Sequence, residues 1–180
     1  MNGKLDEGKY LRLWEVDCLK KYDNVIVTGP QRSGTRITAK IISDICGFEY
    51  VDEVRISVAN TKIIKQLLVE KKGCVFQAPG MSSYSVELSK GNVVIVFVFR
   101  DVQDIIKSQE RIHWMCEGAE KDLYPKMDGC ISEMKYKYFI EKQERKIEHS
   151  FRIRYDDLAG HRFFLKKDKR SNFLWDQTGV

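Results

Sequence analysis

Val25-Ile-Val-Thr-Gly-Pro-Gln-Arg-Ser-Gly-Thr-Arg36 is a short β-branched run that breaks into a glycine-bounded loop and then into a helical pattern. Val25, Ile26 and Val27 have the character of the end of a buried strand. Gly29 permits a sharp exit from that strand, and Gly34 lets the backbone close over an anion. From residue 34 to 46, Ile37, Ile41 and Ile45 recur at helical spacing. The loop's N–H groups and the positive end of the helix would then face one spot, which reads as a phosphate cradle. A purely structural turn from strand to helix would use the same glycines.

A second stretch supports the cradle. Residues 93–99, Val-Val-Ile-Val-Phe-Val-Phe, form an unbroken apolar run suited to a central parallel strand, and the run stops at Arg100-Asp101. A residue leaving such a strand at its carboxyl end stands at the crevice where open α/β sheets bind ligands. An arginine fork suits a phosphate there better than an ammonium group does. The competing reading pairs Arg100 with Asp101 or Asp104 as a solvated charge and leaves Ser108 an ordinary helix residue.

The spacing from Gly29 to Gly34 matches the frame of a nucleotide-triphosphate P-loop, but Thr35 and Arg36 stand where that motif has Lys followed by Ser or Thr. Gly29-Pro30-Gln31-Arg32-Ser33-Gly34-Thr35 resembles instead the 5'-phosphosulfate loop of the sulfotransferases. That loop carries Lys or Arg two residues before its second glycine and a hydroxyl residue after it. In the same family the corresponding strand ends in an Arg, with a Ser eight residues on, as Arg100 and Ser108 stand here. Phe151-Arg-Ile-Arg-Tyr155 alternates with period two into Asp156-Asp157-Leu158, similar to the family's late strand, where Tyr155 and Asp156 are structural.

The resemblance spans roughly residues 25–158. It implies 3'-phosphoadenosine-5'-phosphosulfate as donor, with no metal, and in-line transfer of a sulfuryl group to a hydroxyl or amine of a small molecule or saccharide. Residues Gly29 to Thr35, with Arg36, would hold the 5' side, and Arg100 and Ser108 the 3'-phosphate. A basic loop near the family's C-terminus closes over that phosphate, which makes Lys169 or Arg170 candidates; a solvated chain end is the competing view. Several branches take the acceptor's proton with a Glu shortly after the loop helix. Glu53 is the first candidate and Glu49 the second, against a reading of both as solvated loop carboxylates. Arg32 stays protonated near neutral pH, so its expected part is charge stabilisation of the leaving phosphate rather than proton donation.

Composition bounds the rest. A chain of 180 residues suits one domain with a proper core. Its net charge of +5 fits an anionic cofactor without demanding nucleic acid. Cys18, Cys46, Cys74, Cys116 and Cys130 are widely spaced with no C-x-x-C pair, as in a reduced intracellular protein. No apolar run reaches membrane-spanning length, and Lys4, Asp6, Glu7 and Lys9 are unlike a signal peptide, so the expected location is the cytoplasm.

Helical and extended patterns alternate along the chain. Residues 9–22 read as cover on the sheet edge, and Gly47 as a helix C-cap. A crossover helix is expected over 60–72, with a short strand at Cys74–Ala78. Gln77, Ser82, Ser83 and Tyr84 are possible acceptor contacts or simple turn residues. Residues 114–130 are a candidate lid, and 131–148 a charged helix. The alternation predicts an α/β fold: a three-layer, P-loop-like domain with a mostly parallel central sheet flanked by helices. Two other functional classes share that frame. One is a P-loop phosphotransferase, for which Asp101 would be the magnesium acid. The other is a non-catalytic nucleotide-binding scaffold.

Overall fold

A computed structural model describes residues 10–53, 61–79, 81–111 and 133–164. Five strands make one sheet: β1 (Asn24–Thr28), β2 (Glu49–Val51), β3 (Cys74–Gln77), β4 (Val93–Phe99) and β5 (Ser150–Arg154). Their spatial order is β2-β3-β1-β4-β5, and every pair is parallel. Between them run α1 (Thr35–Cys46), α2 (Thr61–Glu70), the short α3 (Ser85–Leu88), α4 (Val102–Arg111) and α5 (Glu133–Glu144).

Parallel strands need crossover connections, and helices in those crossovers cover the sheet. This explains the β4 run. Val94, Val96 and Val98 face one core with Val25, Val27 and the α1 residues Ile41 and Ile42. Ile95, Phe97 and Phe99 face the other with Ile26, Phe76, Ile64 of α2, Leu88 of α3 and Ile140 of α5. Both faces are dry, so no position in β4 can be polar. The edge strands show the contrast: β2 begins at the exposed Glu49 and β5 ends at the exposed Arg154.

The right-handed crossover rule sorts the helices. The step from β1 to β2 runs one way along the sheet, and the following steps run back the other way. Accordingly α1 lies on one face while α2, α3 and α5 lie on the opposite one. The α1 face is completed by a 3₁₀ segment, Leu13–Lys21, whose Val16 and Leu19 are fully buried against α1. Residues 10–22 are thus mainly face cover rather than edge cover. Its edge contact is Tyr10, which bridges to Arg152 of β5.

This order creates a switch point. Chains leaving β1 and β4 diverge in opposite directions, although the two strands are neighbours. A crevice therefore opens at their carboxyl ends, between the 29–34 loop and Arg100. Because β4 carries both cores, Phe97→Ala should lower stability by about 3–5 kcal/mol. Val69→Ala, on the exposed side of α2, should change it by less than about 0.5 kcal/mol; urea unfolding of the two variants checks the ranking.

Candidate active site

The loop after β1 is shaped by two residues with positive φ. Arg32 has φ 70° and Gly34 has φ 99°. A non-glycine residue in that region is uncommon and carries strain that the surroundings must hold. The holding contact is visible: Arg100 Nη1 donates to the carbonyl of Arg32 at 3.0 Å. Within the loop, Ser33 N–H donates to the Pro30 carbonyl at 3.0 Å. Gly34 then caps α1, and an added Cβ there would lie 2.2 Å from the ring of Tyr155.

Arg32, Arg100 and Ser108 meet. Arg32 Nε donates to Ser108 Oγ at 3.1 Å, bringing the second turn of α4 to the loop. Ser108 is buried, and only 10% of the Arg100 side chain is exposed. The guanidinium lies over the Tyr155 ring, 4.6 Å from its centroid, and Phe164 packs on the same ring at 4.9 Å. Of the competing pairing, one part is found: Arg100 Nη2 is 3.8 Å from Asp104. Asp101 instead accepts from the Asp104 N–H at 3.0 Å and caps α4. Two buried polar atoms at this junction have no partner among the described residues, Arg100 Nε and Ser33 Oγ. Buried donors seldom stay unpaired, so both are suited to a ligand's oxygen atoms.

A second cluster stands beside the first turn of α1. That turn contains no acid, and Arg36 places a cation where the helix dipole is already positive. Arg36 Nη2 lies 3.4 Å from Asp52 and 3.8 Å from Glu53. Tyr50 Oη lies 2.5 Å from Gln77 Oε1 and 2.9 Å from Asp52 Oδ2. Arg36 Nε approaches the same Gln77 oxygen at 3.5 Å. Burial pushes the Glu53 carboxyl above its ordinary value, with the Arg36 charge opposing the rise. Burial, reinforced by a hydrogen bond with Asp52, likewise pushes the Tyr50 phenol up, so the phenol remains a donor.

The two base candidates separate. Glu53 joins this cluster, but Glu49 does not, which corrects the expectation for that residue. Its register opposite Cys74, itself opposite Asn24, puts it at the amino ends of the strands, away from the loop. There Glu49 pairs with Lys71 at 2.9 Å on an exposed surface. Among the proposed acceptor contacts, Gln77 faces the cluster, whereas the Ser82 hydroxyl is buried against Thr28 at 3.2 Å. Tyr84 is exposed. Lys169, Arg170 and the 114–130 region lie outside the described residues.

Sequence reasoning missed Tyr50 and the place of Tyr155 against the cradle. For Tyr50 a signal existed: period two in β2 sets Tyr50 and Asp52 on one side. For Tyr155 no local signal existed, because its contact with Gly34 joins the end of β5 to the loop after β1.

No protein-family model matches this sequence, and no curated protein matches it. Among solved structures, shikimate kinase from Acinetobacter baumannii in complex with shikimate is similar at a TM-score of 0.48 and 13% identity, over 76% of this chain and 86% of that one. A gluconokinase from Sinorhizobium meliloti is similar at 0.41 and 13% identity, over 74% and 83%. An uncharacterized protein from Eubacterium ventriosum is similar at 0.40 and 14% identity, over 74% and 90%.

Gly34→Ala tests how tightly the loop is held. The left-handed backbone alone should cost about 1–2 kcal/mol, and displacing the Tyr155 ring a further 1–3 kcal/mol or so. Gly47→Ala, at φ 70° with nothing within 4 Å of the new Cβ, should show only the first of these. Urea unfolding should therefore rank Gly34→Ala as the more damaging change.

Proposed function

We propose that this chain is a sulfotransferase that takes 3'-phosphoadenosine-5'-phosphosulfate as donor and a hydroxyl or amine of a small molecule or saccharide as acceptor. The observation that carries the reading is the meeting of Arg32, Arg100 and Ser108, residues distant in sequence, around the 29–34 loop. Arg100 Nε and Ser33 Oγ fit a phosphorylated nucleotide, because each supplies a hydrogen-bond donor where the described residues offer no acceptor.

When bound, the donor supplies a sulfuryl group attached to a phosphate leaving group. The loop N–H groups and Arg32 would hold the 5' side and neutralise the charge that develops on the phosphate oxygen as its bond to sulfur breaks. Arg32 keeps its proton throughout. Glu53 would take the proton of the acceptor as the new bond to sulfur forms, and its raised carboxyl pKa brings it closer to working pH than an exposed glutamate. Arg100 and Ser108 would grip the 3'-phosphate. Lys169 or Arg170 would close over it from the C-terminal side.

A second reading, a phosphotransferase using ATP, is favoured by one observation. Asp52 and Glu53 stand together across Arg36 at the start of α1, and carboxylates near the cradle are what magnesium-bound phosphates require. Asp101, the acid first considered for that role, is engaged as the cap of α4.

Calorimetric titration with 3'-phosphoadenosine-5'-phosphate and with ATP, each with and without magnesium, separates the readings. The expected outcome is metal-independent binding of the bisphosphate, weakened about tenfold to a hundredfold in Arg100→Ala by loss of a charge-assisted contact. Preference for ATP with magnesium would overturn the sulfotransferase reading, and binding of neither would point to a scaffold.

The pH dependence of Glu53 has a definite sign. A base works deprotonated, so kcat/KM for sulfuryl transfer should fall as pH drops through a midpoint above the ordinary glutamate range. The folded chain holds this proton more tightly than the unfolded chain. The stability associated with it is therefore complete below the unfolded pKa and lost as pH rises through the folded one. At neutral pH, Glu53→Gln should abolish turnover while leaving the urea midpoint unchanged or higher. A retained rate would remove Glu53 from the reaction.

A further inference from the structure

We propose that Arg100, seated by Tyr155, is a positioning residue for the 29–34 loop as well as a contact for the ligand. The loop's hold on a 5'-phosphate then depends on Arg100 even when the ligand has no 3'-phosphate. The inference deepens the sulfotransferase reading and rests on it for the nucleotide.

The loop has a shape that must be held. Arg32 at φ 70° and Gly34 at φ 99° are left-handed, and Ser33 between them is not. Backbone that alternates hand in this way turns successive N–H groups toward one point and forms a concave nest for an anion. Glycine adopts such a φ freely. Arg32 is the non-glycine residue that does so among the described residues. Left to itself, an arginine there relaxes toward negative φ, and the nest opens.

Contacts from β4 and β5 oppose that relaxation. At the entry, Gly29 is pressed on β4, and an added Cβ would lie 3.0 Å from the Val98 carbonyl oxygen. At the exit, Gly34 meets the Tyr155 ring, 2.2 Å from where its Cβ would stand. Between them the Arg32 carbonyl accepts from Arg100 Nη1 at 3.0 Å. Steric fit thus fixes the two ends, and the hydrogen bond from Arg100 holds the backbone of the strained residue. The Arg32 side chain is tied separately, to Ser108.

Arg100 is arranged for both tasks. Nη1 is spent on the loop carbonyl and Nη2 lies 3.8 Å from Asp104, while Nε has no partner among the described residues. A rigid planar fork presents separate donors to a backbone oxygen and to a ligand. The Tyr155 ring lies 4.6 Å from the guanidinium carbon, within cation–π range, and Phe164 backs that ring at 4.9 Å. One buried ring therefore touches both the clamp and the end of the nest, which couples the two.

Two nucleotides that differ only in the 3'-phosphate separate the tasks. Binding of 3'-phosphoadenosine-5'-phosphate and of adenosine 5'-phosphate is measured by calorimetry on the wild type, Arg100→Ala, Tyr155→Leu and Tyr155→Phe. The backbone amide signals of residues 32–35 are followed by NMR in the same proteins without ligand. Arg100→Ala should weaken adenosine 5'-phosphate about tenfold, the factor equivalent to losing hold of one strained residue, and the bisphosphate at least as much. Tyr155→Leu should weaken both nucleotides, and Tyr155→Phe, which keeps the ring, should restore the binding that Tyr155→Leu loses. The amide signals should shift in both weakened variants. Unchanged affinity for adenosine 5'-phosphate in Arg100→Ala would overturn the proposal and leave Arg100 a ligand contact alone. Amide signals that stay in place in that variant would overturn it too, and wild-type binding by Tyr155→Leu would overturn the seating role of Tyr155. If Tyr155→Leu fails to fold, Arg100→Ala decides by itself. Where the wild type binds adenosine 5'-phosphate too weakly to measure, the amide signals decide; binding of neither nucleotide rejects the sulfotransferase reading, and the amide signals still settle the positioning role.

Discussion

The parallel pairing of β1 with β4 is the constraint on which the rest of this structure depends. In register from Asn24 opposite Val93 to Thr28 opposite Phe97, the two strands end at the same edge of the sheet. Their onward connections diverge, so neither helix covers the gap. Into that gap come the 29–34 loop from one side and Arg100 from the other. Arg100 Nη1 on the Arg32 carbonyl turns this adjacency into a fixed distance. It also holds Arg32 in a backbone region whose strain is of the order of 1–3 kcal/mol. Tyr155 packs against Gly34 and under Arg100, so β5 completes what the central pair begins.

The arginines of the site are held differently from the arginine of the core. Arg152 and Glu144 form a buried bidentate pair at 3.1 and 2.6 Å, with side-chain exposures of 4% and 3%. Burying two charges is costly unless the geometry is close to ideal, and here it is. Around the loop, Arg36 lies 3.4 and 3.8 Å from Asp52 and Glu53 and Arg100 lies 3.8 Å from Asp104, and Arg100 Nε has no partner among the described residues. The core pair is saturated. The site keeps a buried donor without a partner among the described residues, near the amino end of α1. That difference, rather than the number of arginines, sets the crevice apart from the core pair.

The second cluster divides labour along β2 and β3. Residues facing the α2 side, Val51 and Phe76, are core. Their neighbours facing α1, Tyr50, Asp52 and Gln77, are polar and bonded to one another or to Arg36. One strand thus builds the core with one side and the site with the other, which is possible only where the strand end passes beyond the covering helix.

Much of this was legible in the sequence. The unbroken 93–99 run required burial on both faces, and β-branched residues followed by Gly29 and Gly34 required a strand, a tight loop and a helix. These are local consequences of periodicity, sterics and hydration, written in consecutive residues. Arg100 could be placed because it stands at the end of a strand whose direction the pattern gives, whereas the resemblance of their spacing to the sulfotransferase pattern singles out Arg32 and Ser108. Tertiary structure alone set Glu49 and Glu53 apart in space. Both are carboxylates of one short segment, and only the register of β2 against β3 sends Glu49 to the amino edge and Glu53 to the crevice. It alone decided that Tyr155 closes on Gly34 and that Tyr50 meets Gln77. Those contacts join residues on different strands, and which strands lie side by side depends on burying both sheet faces at once, a condition on the whole chain that no single stretch of sequence carries.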